Sequence, residues 1–134
     1  MSDSPSFLFV CVENAGRSQM AEAFAKRKGL RAASAGTQPA ASVNPAVVEA
    51  MAEKAFVFSL KKPKLLTIEM IDQADLVITM GCSDEKVCPR PMLDRMQKKV
   101  IDWNLEDPKG KSLPEIRKIR NEIELRVAEL AQAQ

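Results

Sequence analysis

Phe7-Leu8-Phe9-Val10-Cys11-Val12-Glu13-Asn14-Ala15-Gly16-Arg17-Ser18 is the stretch on which the reading of this chain turns. Its apolar run, Phe7 to Val12, has the pattern of a parallel strand buried on both faces. Asn14, Ala15 and Gly16 interrupt that run. From Arg17 to about Lys28 the spacing predicts a helix with Met20, Ala21, Phe24 and Ala25 on one side. Gly29 stands where such a helix ends. A cysteine at the end of a strand and an arginine at the start of a helix are therefore joined by a short loop. Successive backbone N–H groups of such a loop can converge on one centre and form an anion nest. The helix N-terminus behind the loop adds positive potential. The guanidinium of Arg17 can hold two oxyanion oxygens in a fork, Gly16 allows close backbone approach, and Ser18 can hydrogen-bond a thiolate. Val12, Glu13, Asn14, Ala15, Gly16 and Arg17 are thus the candidate oxyanion-binding loop, and Cys11 the candidate nucleophile. The spacing alone also fits a small buried cysteine closing a core strand. Its place between strand and helix, with a serine following, favours the chemical reading.

Outward from this stretch, strands and helices alternate. A second strand is expected over Arg31 to Ser34, closed by Gly36. Asn44-Pro45 reads as an N-cap followed by a first-turn proline, opening a helix with Val47, Val48, Met51 and Ala52 inward. Lysines and Pro63 leave Phe56 to Leu66 without a clear period, and Thr67 caps a short helix to Gln73. Asp75 to Met80 is the next strand, ending at Gly81; residues 82–98 read as a mobile loop with room for one helical turn. Val100 to Trp103 forms a last short strand. Ser112-Leu113-Pro114-Glu115 is a capping box opening a final helix that buries Ile116, Ile119, Ile123, Val127 and Leu130. The class is α/β, one domain over residues 1–134, with a parallel sheet of about four strands. Ligands of such sheets bind beyond the carboxyl ends of the strands. Cys11, Cys82 and Asp107 each follow a predicted strand, so all three are expected on that one edge.

Composition bounds the function classes. The chain has 134 residues, 46% hydrophobic and 28% charged, with a net charge of +2 and no histidine. Without histidine, serine–histidine and cysteine–histidine catalysis are excluded. The charge balance gives no pull towards nucleic acid, though a small anion is not repelled. Met1 to Ser6 has no basic n-region, Phe7 to Val12 is too short for a signal peptide, and no stretch approaches a membrane span. The expected compartment is the cytoplasm, where thiols stay reduced. Three cysteines argue against a disulfide framework, and without histidine they cannot complete a usual closed zinc site, so no metal is expected. Lys109-Gly110-Lys111-Ser112 suggests a nucleotide loop, but Leu105 stands where that motif needs glycine.

Cys11-x5-Arg17-Ser18, the following Gln19-Met20-Ala21-Glu22, Ser34-Ala35-Gly36, and Asp102-Trp103-Asn104-Leu105-Glu106-Asp107-Pro108 together resemble low-molecular-weight tyrosine phosphatases and their arsenate reductase relatives. The resemblance runs from about Phe7 to the C-terminal helix and implies a three-layer α/β/α fold with a four-stranded parallel sheet. It gives Asp107 the part of general acid. Cys82 and Cys88 point to the reductase branch, because a phosphatase needs one cysteine and a reductase needs a relay of thiols. By that resemblance Cys11 attacks arsenate, Cys82 releases arsenite by forming a Cys11–Cys82 disulfide, and Cys88 moves the disulfide outward for thioredoxin or a similar thiol reductant. No cofactor is implied, and nothing demands more than a monomer. Many tyrosine phosphatases of this fold carry aromatics after the Asp-Pro pair; here Lys109-Gly110 follows, and the chain has no tyrosine. Gly16 stands where many relatives have a second cysteine. In some relatives the counterparts of Asn14, Glu22 and Ser34 order the loop, occasionally around potassium. The alternatives are a phosphatase acting on phosphate monoesters through a Cys11 phosphocysteine, and an oxyanion sensor without turnover.

Overall fold

The apolar run at the start of the chain becomes an interior strand of an all-parallel sheet, and its C-terminal end delivers Cys11. The computed structural model describes residues 5–58, 61–80 and 99–133. Among them the order is β1 (Ser6–Cys11), α1 (Arg17–Arg27), β2 (Arg31–Gly36), α2 (Pro45–Ala52), α3 (Ile68–Gln73), β3 (Leu76–Thr79), β4 (Val100–Asp102) and α4 (Leu113–Gln132). The strands lie in the order β2-β1-β3-β4. Cys11 is in register with Gly36, and Val10 with Thr79. Alternation along β1 divides the core. Phe7, Phe9 and Cys11 face a cluster built with α1, α2 and α4, whereas Leu8 and Val10 face a smaller cluster with Leu66 and Ile71. Helices on both faces make the three-layer α/β/α arrangement.

Local chemistry sets the element ends. Asn44 accepts from the Ala46 N–H at 3.0 Å with Pro45 in the first turn, and Thr67 accepts from Met70 at 3.2 Å. Ser112 and Glu115 form the reciprocal capping box of α4. Gly29 takes φ +84° just after α1, as a left-handed stop requires. Three expectations need correction. β2 runs on to Gly36, because the whole of β1 pairs with it. In α2 the inward residues are Val47, Ala50 and Met51; Ala52 is exposed and Val48 only half-buried, so the apolar stripe lies one position earlier than predicted. Leu130 is only half-buried, packed against the main core cluster. The loop expected over 82–98, with Cys82 and Cys88, lies outside the described residues.

Two contacts position the segment after β4. Trp103 packs on Phe9 with ring centroids 5.8 Å apart, an aromatic pair worth about 0.5–1.5 kcal/mol beyond its buried area. The Trp103 N–H also donates to Thr79 O at 2.8 Å. The chain from Leu105 to Pro108 is thereby carried back over the end of β1. No helix among the described residues is long and apolar enough to cross a membrane.

Candidate active site

Residues 11–17 form a cradle whose carbonyls are held on the outside. The N–H groups of Thr37, Gln38, Ala40 and Asn44 donate to the carbonyls of Cys11, Val12, Glu13 and Ala15 at 3.3, 2.8, 3.0 and 2.9 Å. In a planar trans peptide the N–H opposes the C=O. The amides of Val12, Glu13, Asn14 and Gly16 therefore point the other way, towards the cysteine. One of them is already engaged: the Asn14 N–H donates to Cys11 Sγ at 3.2 Å. The loop reaches this shape by placing Asn14 at φ 52°, in the left-handed region that asparagine tolerates better than most residues. Gly36 packs beneath it. A Cβ at Gly36 would lie 2.6 Å from Val12 O and 2.8 Å from Asn14 N, so this approach of strand to loop admits only glycine.

The buried side chains around the cradle form one hydrogen-bonded network. Cys11 Sγ and Ser18 Oγ are 2.8 Å apart. The Asn14 amide donates to Ser18 Oγ at 2.7 Å and to Ser34 Oγ at 3.0 Å, and its oxygen accepts from Gln19 Nε2 at 3.0 Å and the Lys64 N–H at 2.8 Å. Ser34 in turn donates to Glu22 at 2.5 Å. Glu22 is buried yet charged. Burial works to raise its pKa, but the hydrogen bonds from Lys26 and Ser34 and the charge of Lys64 outweigh it and hold the carboxyl below its ordinary value. Lys26 Nζ lies 2.7 Å from Glu22, and Lys64 Nζ lies 3.6 Å away. The Asn14, Glu22 and Ser34 that the resemblance singled out are thus joined. Gln19 and the Lys64 backbone complete the network and were not anticipated. The sequence signal for Gln19 was its place in the Gln19-Met20-Ala21-Glu22 stretch that carries the resemblance.

Arg17 begins α1 with its side chain largely out of water. One Nη1 hydrogen goes to Leu105 O at 3.0 Å, and Nη2 lies 3.8 Å from Asp107. Its Nε is buried without a partner among the described residues. A buried, unmatched N–H on a guanidinium is a standing cost of about 1–3 kcal/mol, relieved when an acceptor arrives. α1 also has Gly16 as its N-cap and no side-chain cap, leaving its first N–H groups for the same acceptor. Cys11, Arg17, Glu13, Asp107 and Lys109 line one cavity of about 320 Å³. Cys11 lies at its base with 3% of its surface exposed, whereas the Asp107 side chain is 55% exposed at the rim. The Lys109 N–H donates to Asp107 Oδ1 at 3.0 Å, fixing the Asp-Pro turn. The structure therefore brings Cys11, residues 12–17, Ser18 and Asp107 together. Cys82 and Cys88 fall outside the described residues. The arrangement suits a tetrahedral oxyanion: converging amides, a two-pronged cation, a sulfur beneath and a carboxyl group above.

Comparison with known proteins agrees with this geometry. The sequence model described as "Low molecular weight phosphotyrosine protein phosphatase" matches residues 6–134. A Halobacterium salinarum protein named "Putative arsenate reductase" is 40% identical over 132 residues, covering 92% of this chain and 89% of its own. The thioredoxin-dependent arsenate reductase of Corynebacterium glutamicum superposes with a TM-score of 0.77 at 39% identity, over 98% of this chain and 62% of that one. An arginine phosphatase from Geobacillus stearothermophilus superposes with a TM-score of 0.83 at 27% identity, over 96% and 92% of the two chains.

Proposed function

The chain belongs to the low-molecular-weight phosphotyrosine protein phosphatase family, and within that family we propose that it reduces arsenate to arsenite through a relay of Cys11, Cys82 and Cys88. The observation that carries the reductase reading over the phosphatase one is strand register. Thr79 is paired beside Val10 on adjacent parallel strands, and only Met80 and Gly81 separate it in sequence from Cys82. In sequence, a second thiol therefore follows within three residues of Thr79, which lies on the strand that neighbours the one ending in Cys11. A phosphatase has no use for that thiol. The similarity to reductases of the same family points the same way.

In the proposed cycle, arsenate enters the cradle and its oxygens take the free amides, the Nε and an Nη2 hydrogen of Arg17. Cys11 Sγ attacks arsenic(V), and Asp107 gives a proton to the departing oxygen, which leaves as water. Cys82 thiolate then attacks the Cys11 sulfur. The S–S bond forms, the As–S bond breaks, and its electron pair stays on arsenic, which departs as arsenite. Cys88 thiolate attacks Cys82 and releases Cys11 as thiolate. The Cys82–Cys88 disulfide is reduced by an external dithiol of the thioredoxin kind, which completes the two-electron balance. Ser18 supports the sulfur at 2.8 Å and keeps Asn14 in place.

The same cradle is competent for phosphoryl transfer, because Cys11, Arg17 and Asp107 are the only groups that reaction needs. Phosphate monoester hydrolysis is thus the second reading, favoured by the likeness to phosphatases. One experiment separates the two: arsenate-dependent NADPH oxidation with thioredoxin and its reductase, run beside p-nitrophenyl phosphate hydrolysis. Steady NADPH consumption that Cys82→Ser abolishes establishes the reductase. Phosphate release without arsenate reduction, indifferent to Cys82→Ser, makes the protein a phosphatase.

A further inference from the structure

One member of the anion cradle has the wrong sign for its place. Glu13 is two residues from Cys11, contributes its backbone to the loop, and lines the cavity with a carboxylate. Unopposed, that charge repels the dianion the cradle is built to hold. It is not unopposed: Lys109 Nζ lies 3.3 Å from Glu13 Oε2. The two residues come from different segments that line the same cavity. Glu13 belongs to the loop after β1, and Lys109 to the Asp-Pro turn that carries Asp107. Both side chains reach solvent, at 37% and 72% exposure, whereas Cys11 and Arg17 beneath them are buried. The pair therefore lies nearer solvent than the buried Cys11 and Arg17 that line the same cavity.

We propose that the Glu13–Lys109 ion pair is a specificity determinant, a bridge across the entrance that admits small tetrahedral oxyanions and disfavours phosphate esters with a bulky organic group. The inference deepens the oxyanion reading of this site and rests on it. A bare tetrahedral ion can pass and sit beneath a closed bridge. An aryl ester must leave its organic part in the entrance and so has to break the pair. The size of the effect follows from the environment. An exposed pair is worth about 0–1 kcal/mol, so a ligand that must open it loses at most about fivefold in affinity. The pair does a second thing as well: it cancels the loop carboxylate, and this charge effect acts alike on every dianion.

The two contributions separate in a binding experiment that requires no turnover. In a Cys11→Ala background, which removes the nucleophile, dissociation constants for arsenate and for phenyl phosphate are measured by calorimetry. Four versions are compared: the parent, Glu13→Ala, Lys109→Ala and the double variant. Lys109→Ala alone leaves the carboxylate uncompensated and should weaken arsenate several-fold. The double variant restores charge balance without the bridge. It should bind arsenate within about twofold of the parent and phenyl phosphate three- to fivefold more tightly. A double variant in which both ligands change by the same factor, or phenyl phosphate does not tighten, overturns the bridge. Retained arsenate binding in the double variant reports an intact site. Failure of the arsenate reductase reading is seen separately, in the NADPH assay of the unmodified protein, and leaves this comparison of ligands standing.

Discussion

Arg17 offers the sharpest test of how the cradle works. Of the five N–H groups on its guanidinium, one is committed to Leu105 O, Nε has no partner among the described residues, and Nη2 stands 3.8 Å from Asp107. The Nε edge is thus set for two parallel bonds to an oxyanion. Charge-assisted hydrogen bonds of this kind contribute about 1.5–3 kcal/mol each. Arg17→Met removes both and should lower kcat/KM by about 10²–10⁴-fold, taking 1.36 kcal/mol per decade. Arg17→Lys keeps a point charge and recovers about one bond, so its loss should be intermediate, about 10–10²-fold. Stability should move differently. The guanidinium is already buried short of partners, and methionine in its place should leave the unfolding free energy of the ligand-free protein within about 1 kcal/mol. The assays are p-nitrophenyl phosphate hydrolysis and thioredoxin-linked arsenate reduction, with urea denaturation for stability. Equal losses of less than about fivefold in both variants would show that the fork holds no oxyanion, and the reading of the unmatched Nε would fall with it.

Three further outcomes are expected. Gly36→Ala drives a Cβ into Val12 O and Asn14 N at 2.6 and 2.8 Å; strain of about 1–3 kcal/mol should lower the melting midpoint by roughly 3–12 °C and reduce activity with it. A variant that melts like the parent would mean that strand and loop yield to one another freely. Cys88→Ser should allow one turnover and then accumulate a Cys11–Cys82 disulfide, visible as a mass two hydrogen atoms lighter; sustained turnover would remove Cys88 from the relay. Acid stability should depend on Glu53, whose carboxyl is held at about 2, chiefly by the hydrogen bond from Arg117 and then by that from Arg120. Its folded pKa lies below the ordinary 4.5, so its contribution is present above that value and is lost as pH falls towards 2. Denaturation midpoints of Glu53→Gln should fall less steeply across this window than those of the parent.

The sequence made the skeleton of the site legible because its signals are local. The apolar run of β1, the break at Asn14 to Gly16 and the onset of α1 at Arg17 follow from adjacent residues, as does the capping box at Ser112 and Glu115. What stayed hidden depends on contacts distant in the chain. Gln19 and Glu22 look like the polar side of an amphipathic helix, yet both are buried, because the chain near Lys62 and Lys64 folds over them. Ala52 fits an inward stripe by spacing, but the crossing of α2 on α4 selects Ala50 instead. Gly36 reads as the end of a strand; only the loop lying against it shows why a side chain is barred. The segment that brings Thr37, Gln38, Ala40 and Asn44 to the loop carbonyls carries no pattern of its own. Its task is performed by backbone, which every sequence supplies.

The uncapped start of α1 bears on how the site empties. Gly16 offers no side chain to the first turn, so an oxyanion bound in the proposed cradle would be the cap that this helix lacks. Arsenate, carrying negative charge, completes the helix on arrival. Arsenite, neutral as arsenious acid near neutral pH, cannot. Reduction would thus remove the very charge that holds the ligand, and turnover ends with the helix uncapped and the product unheld. Inorganic phosphate, which keeps its charge, should linger where arsenite departs.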